Sequence, residues 1–433
     1  MTAVSRVTQI MSQPELQSPQ LSVRILGIVL VVLITAGFTE GVCRFLILYR
    51  THVKLPMAVQ EYQIRDSRQP FLWRLKPGYG CTLAEAIRAK RQSGRQMGAA
   101  YLEDRAAKLG VKPEDVLFRI DSDGYKGPEL DKSHSRLRIL TLGDSCTFGT
   151  FSDSYSYPRS LERALNQQGL KVEVVNGGVE GYSPQQVLMR MEEFKGLHPE
   201  ITTIYIGWNA FFSPESVPRF ARSYTPYTWR ALKYVYGLLA PEKAARQLYY
   251  RPKHADRHDP LISRLSNYVP PFFPLIERIV TEMQSSGNHV VILTLPGLYR
   301  LDEAPSPLAL KVGQLPEFTG NPYVLAKLSD SYNKSLRALA AQQGVGLIDL
   351  DRWSSAVLEP RDVYFADSVH LYEEGQQKLG EYLALQLAPL VTQIRDSVGH
   401  QEGRPVPRPH LPTRGEKRSQ FVNTGQNDAG YSH

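Results

Sequence analysis

RILTLGDSCTFGTFSDSYSYP, residues 138–158, is a run of β-branched and leucine side chains cut short at Gly143-Asp144-Ser145. A short, continuous apolar run closed by a turn signal describes a strand buried on both faces. Downstream the pattern recurs in alternation with helices, as βα units do. SLERALNQQG (160–169) is a helix closed by Gly169, and VEVVNGGV (172–179) is a second strand. SPQQVLMRMEEFKG (183–196) is a helix with Ser183 as N-cap and Pro184 at its first position. ITTIYIGW (201–208), HVVILTLP (289–296) and VGLIDLD (345–351) supply three further strands. Helices at 274–287 and 328–344 separate them, and 371–394 is a closing amphipathic helix. The expectation is an α/β domain whose five-stranded parallel sheet is covered on both faces.

Upstream, residues 51–137 are mixed and charged, with one helix expected over Leu83–Leu109 and a turn at DSDGYKGPE (121–129). At the N-terminus, ILGIVLVVLITAGF (25–38) is uncharged, and with its flanks it reaches the roughly 20 residues of a membrane span. No small-residue cleavage site is well placed and no polar face interrupts the segment, so an uncleaved signal-anchor is expected. Arg6 and Arg24 precede it, whereas Arg44, Arg50 and Lys54 follow it, a balance that slightly opposes export of the C-terminal part. The expected organisation is a short tail (1–20), an anchor (21–48), a membrane-proximal region packing on the catalytic domain (49–137), a catalytic domain (138–396) and a disordered tail (397–433). A lid-like insert (210–269) interrupts the catalytic domain.

Composition excludes several classes. The 433-residue chain is 42% hydrophobic and 22% charged, ordinary values for a globular protein. Its net charge of +8 is dispersed, without the compact basic stripe or zinc signature of a nucleic-acid binder. Cys43, Cys81 and Cys146 make no disulfide framework, and free buried thiols are expected. His254, Asp256, His258 and Asp259 lie close together but beside Pro260, which reads as a solvated loop, so no metal and no cofactor is expected.

In an open α/β sheet, function gathers at the carboxyl ends of the strands. Ser145 lies just past the first such end, Gly181 of NGGVEGYS past the second, and Asn209 of GWNA past the third. DSVHLYEEG places Asp367 and His370 three apart, immediately before the last helix. Serine needs a base within reach to act as a nucleophile, histidine has a suitable pKa, and a carboxylate can hold the imidazole tautomer. Asp144 is adjacent to the serine, so its side chain should point away, and Cys146 is read as packing.

On GDSCTFG, NGGVEG, GWN and DSVH the chain resembles the SGNH (GDSL-type) hydrolases over about 138–395, and its anchor and FRIDSDGYKGPE lead-in look like those of membrane-anchored bacterial members. The resemblance implies a three-layer α/β/α, flavodoxin-like domain. It also implies Ser145 as nucleophile, His370 as general base, Asp367 as its partner, and an oxyanion hole of the Ser145 and Gly181 N–H groups with the Asn209 amide. Ala210 stands where the family usually has Asp. The activity implied is a serine esterase acting on an O-acyl ester, such as O-acetyl, of a cell-envelope carbohydrate or lipid. The alternatives are an O-acyltransferase with the same triad, or a non-catalytic envelope scaffold. The family's usual arrangement puts the domain outside the cytoplasm, in the periplasm or beyond. The aromatic and basic insert, RSYTPYTWRALKYVYG (222–237) and RQLYYRPKHADRH (246–258), suits substrate contact, packing on the sheet, or the membrane surface.

Overall fold

A computed structural model describes residues 19–52, 60–67, 69, 72–92, 96–149, 151–212, 217–221, 226–239 and 251–402. The apolar runs form one five-stranded sheet in the order Val172–Gly178, Leu137–Gly143, Ile201–Tyr205, His289–Leu293, Gly346–Ile348, with every neighbouring pair parallel. Ile139, Leu140, Leu142, Val174 and Ile201 are fully buried. Each such side chain contributes about 1.5–3 kcal/mol by leaving water, which is why these strands carry no polar face. Helices Tyr157–Gln167 and Glu373–Glu402 pack together on one face. Helices Pro184–Met189, Phe273–Ser285 and Pro322–Gln343 cover the other, completing the three-layer α/β/α, flavodoxin-like fold.

The strand order reverses direction at Leu137–Gly143, whose neighbours lead to opposite faces. A crevice opens at such a switch point, at the carboxyl ends of the strands. Gly178 ends the neighbouring strand where a Cβ would lie 2.4 Å from the Phe148 backbone nitrogen. Only glycine lets that strand end approach the short helix Ser145–Phe148 so closely.

Several expected elements are differently bounded. The helix expected over Leu83–Leu109 is two, Leu83–Gln92 and Gln96–Leu109. The 183–196 helix begins as expected, with a Ser183–Gln186 capping box and Pro184 in its first turn, but breaks at Arg190 into Pro184–Met189 and Met191–Lys195. The fifth strand stops at Ile348, because Asp349 turns to cap the next helix and to pair with Arg337 at 2.8 Å. The last helix runs to Glu402, past the expected start of the tail at 397; residues 403–433 lie outside the described residues, as do 1–18.

The lead-in packs on the α/β domain through buried polar contacts. Arg105 meets Glu373 at the start of the last helix, and its Nε donates to that carboxylate at 2.5 Å. Lys126, 1% exposed, donates to the Phe148 carbonyl at 2.9 Å and lies 4.1 Å from the centre of the Phe148 ring. Burial pushes its pKa down to about 8. The DSDGYKGPE turn forms as expected, with Asp121 accepting from the Asp123 and Tyr125 amides. Helix Pro19–His52 contains a 24-residue apolar stretch, Val23–Leu46, long enough to cross a membrane; an N-terminal signal sequence would meet the same criterion.

Candidate active site

Ser145 opens the helix that follows strand Leu137–Gly143, and Asp144 caps it, accepting from the Cys146 amide at 2.9 Å. Asp144 is therefore buried and turned inward, as its adjacency to Ser145 predicts, and burial raises its pKa to about 6. Facing Ser145, the Asp367–His370 loop is closed by a hydrogen bond from the Ala366 amide to the His370 carbonyl at 2.8 Å. Asp367 Oδ1 accepts from the Val369 and His370 amides, both at 2.9 Å. Its other oxygen lies 2.8 Å from His370 Nδ1, and His370 Nε2 lies 2.7 Å from Ser145 Oγ. With Nδ1–H donating to the carboxylate, Nε2 is left to accept from the serine hydroxyl. Ser145, Asp367 and His370 are partly exposed, so a solute can reach them.

The electrostatics follow from this packing. Burial lowers the His370 pKa, but the Asp367 carboxylate outweighs it, and the imidazolium is held up to about 9. Burial acts to raise the Asp367 pKa, yet His370 and the two loop amides bring it below the ordinary carboxylate value. Cys146 is different in kind. It is 2% exposed, its thiol points to the Val369 carbonyl at 3.5 Å, and burial raises its pKa well above the usual value. A buried neutral thiol is a poor nucleophile. Cys81 is also a buried free thiol, and Cys43 is free and partly exposed.

Gly181 has φ +81°, a left-handed conformation in which a Cβ would lie 3.1 Å from the Trp73 ring. The Asn209 amide donates to the Tyr182 carbonyl at 3.0 Å, which ties the second strand end to the third. Ala210 is buried, so the Asp usual at this position would be desolvated in this chain.

Sequence reasoning missed the residues that hold this arrangement. Trp73, in the lead-in, donates its indole N–H to the Glu180 carbonyl at 3.0 Å, and its own carbonyl accepts from the Tyr182 hydroxyl. Tyr62 donates to the Glu180 carboxylate. The Gly181 loop is thus gripped by side chains more than a hundred residues upstream, and no local pattern signals that. Gln376, on the last helix, donates to the Cys146 carbonyl at 3.1 Å and accepts from the Tyr157 amide at 3.0 Å. Ser368 exchanges two hydrogen bonds with the Gln314 backbone, pinning the histidine loop from outside. In the insert, Asp256 accepts from the His258 amide, and Asp259 caps helix Pro260–Arg264.

The GDSL-like lipase/acylhydrolase family model matches residues 141–378, more than half of the chain. The chain belongs to this family of ester-hydrolysing enzymes. Among solved structures, it is similar to an acetyl xylan esterase, at 14% identity and TM-score 0.35, over 57% of this chain and 97% of that one. A lipase/acylhydrolase from Enterococcus faecalis is 18% identical, with TM-score 0.36, over 58% and 95%. A catalytic mutant of an acetylxylan esterase from Geobacillus stearothermophilus is 15% identical, with TM-score 0.36, over 58% and 93%. No curated protein matches the chain.

Proposed function

We propose that the protein is a membrane-tethered serine esterase that cleaves an O-acyl ester of a cell-envelope carbohydrate or lipid. The observation that carries this reading is the continuous hydrogen-bonded line from Asp367 through His370 to an accessible Ser145. Ser145 Oγ attacks the ester carbonyl while its proton passes to His370 Nε2. The ester C–O bond then breaks, His370 returns the proton to the departing alcohol, and an acyl-enzyme remains. Water repeats the sequence: it loses a proton to His370, attacks the acyl carbon, and frees the acid and Ser145. The Ser145 and Gly181 N–H groups and the Asn209 amide would stabilise the negative charge that develops on the carbonyl oxygen. Neither N–H has an acceptor among the described residues, which leaves both free for that task. The assigned domain is 138–396, served by the 49–137 region and anchored by 21–48 with the catalytic part outside the cytoplasm.

Hydrolysis of short-chain aryl esters and acetylated sugars by the full-length protein tests the proposal. Ser145→Ala should lower kcat by several orders of magnitude with the fold intact. Activity near wild type in that variant would refute the nucleophile. Adding a sugar acceptor to the same assay separates hydrolysis from acyl transfer, since transfer would send label to the sugar at the expense of free acid.

A further inference from the structure

The insert after Asn209 contains helix Tyr227–Leu239, and this helix sits against the apolar N-terminal helix. The C-terminal half of the Val23–Leu46 stretch carries two charged residues, Glu40 and Arg44, and both meet the first turn of the insert helix. Glu40 accepts from the Tyr227 amide at 2.6 Å, from the Thr228 amide at 3.0 Å and from the Thr228 hydroxyl at 3.1 Å. Arg44 stands 5.6 Å from the centre of the Tyr227 ring. Glu40 is six positions before Leu46, which places it about 9 Å inside the apolar stretch. A carboxylate at that depth is costly unless partnered, and unsatisfied helix N–H groups together with a hydroxyl are suitable partners. The same helix presents Trp229 (54% exposed), Leu232 (61%), Val235 and Tyr236, which helical spacing gathers into one apolar strip.

We propose that helix Tyr227–Leu239 is an interfacial helix, docked on the membrane span through Glu40 and Arg44, with its Trp229, Leu232, Val235 and Tyr236 face immersed in the bilayer surface. This inference rests on the span reading of Val23–Leu46. The occupant of the strip is lipid because the strip adjoins a helix whose apolar side chains are unburied throughout. Trp and Tyr at the edge of an apolar strip suit the headgroup boundary, where an amphipathic helix sinks about 5–10 Å. The insert is then a membrane-binding element that brings the chain following Asn209 to the lipid surface, where an envelope substrate would be met.

Bromolipid quenching in proteoliposomes of phosphatidylethanolamine and phosphatidylglycerol, using the full-length chain, tests this. The chain has four tryptophans. Trp73 and Trp208 are buried in the folded body and Trp353 is packed on Tyr382, leaving Trp229 as the lipid-facing reporter. Lipids brominated near the headgroup should quench a component of the emission that disappears in Trp229→Phe. The pair Leu232→Glu with Val235→Glu should reduce that quenching at least several-fold while the protein stays in the alkali-washed membrane pellet. Retention in the pellet with quenching identical in wild type and Trp229→Phe would overturn the proposal and leave the span standing. Release of wild type by alkali would remove the span reading itself, and the proposal with it. Protection of Trp229 from bromolipid, with a dimer cross-linked through this face, would assign the strip to a second copy and also overturn it.

Discussion

Asp367→Asn isolates what the carboxylate does to His370. The replacement keeps shape and an acceptor oxygen for the Val369 and His370 amides, so the loop should hold its geometry. It removes the charge 2.8 Å from Nδ1 that lifts the imidazolium to about 9 against the lowering effect of burial. A base must be neutral to accept the serine proton. At pH 7, two units below the midpoint, only about 1% of His370 is in that form, and the fraction rises about tenfold per unit. Wild-type kcat/KM should therefore climb from pH 7 and level off near 9. In Asp367→Asn the largest lifting charge is gone while burial and the weaker lift from Asp144 and Glu180 remain, so the midpoint should fall well below 9. The rate should also fall by about 10⁴-fold, because an amide favours the wrong tautomer. The assay is kcat/KM for a soluble ester from pH 6 to 10, corrected for spontaneous hydrolysis at each pH. A wild-type midpoint at or below 6.5, or an unchanged midpoint in Asp367→Asn, would refute the reasoning.

Four further substitutions probe other parts of the structure. Asn209→Ala should lower kcat by roughly 10²–10³-fold with little change in KM, since an oxyanion donor acts as charge develops; Ala210→Asp, by contrast, should lower the melting temperature because that position is buried. Gly181→Ala forces a Cβ to within 3.1 Å of Trp73 at φ +81°, a backbone cost of about 1–2 kcal/mol, and should displace the N–H enough to cost kcat more than stability, as read by kinetics beside thermal melting. Arg105→Ala leaves Glu373 buried without its cation and should destabilise the fold by about 3–5 kcal/mol in urea titration.

The parts of this molecule that declare themselves in sequence are those built from local pattern. Short apolar runs ended by Gly143, Gly178 and Gly207 mark the strands, and Ser183-Pro184 marks a helix start that forms with its capping box. The spacing of Asp367 and His370 is a one-turn relation, and the loop keeps them 2.8 Å apart. Competition between distant groups erases other boundaries. Asp349 leaves the fifth strand because Arg337 and Thr294 engage it, at 2.8 and 2.9 Å. The 183–196 helix breaks where the Arg190 side chain turns inward over Phe194. Trp73 and Tyr62 act on the Gly181 loop from 107 and 118 residues away in the chain, a relation that hydropathy and periodicity do not carry.

The most direct measurement of the central claim is covalent labelling with an aryl fluorophosphonate, followed by fragmentation of the peptide that contains Ser145 and Cys146. The serine oxygen should displace fluoride and carry the phosphonyl group, and labelling should vanish in Ser145→Ala and fall sharply in His370→Ala. Label on Cys146, or ester hydrolysis that continues unlabelled and unimpaired in Ser145→Ala, would contradict the account.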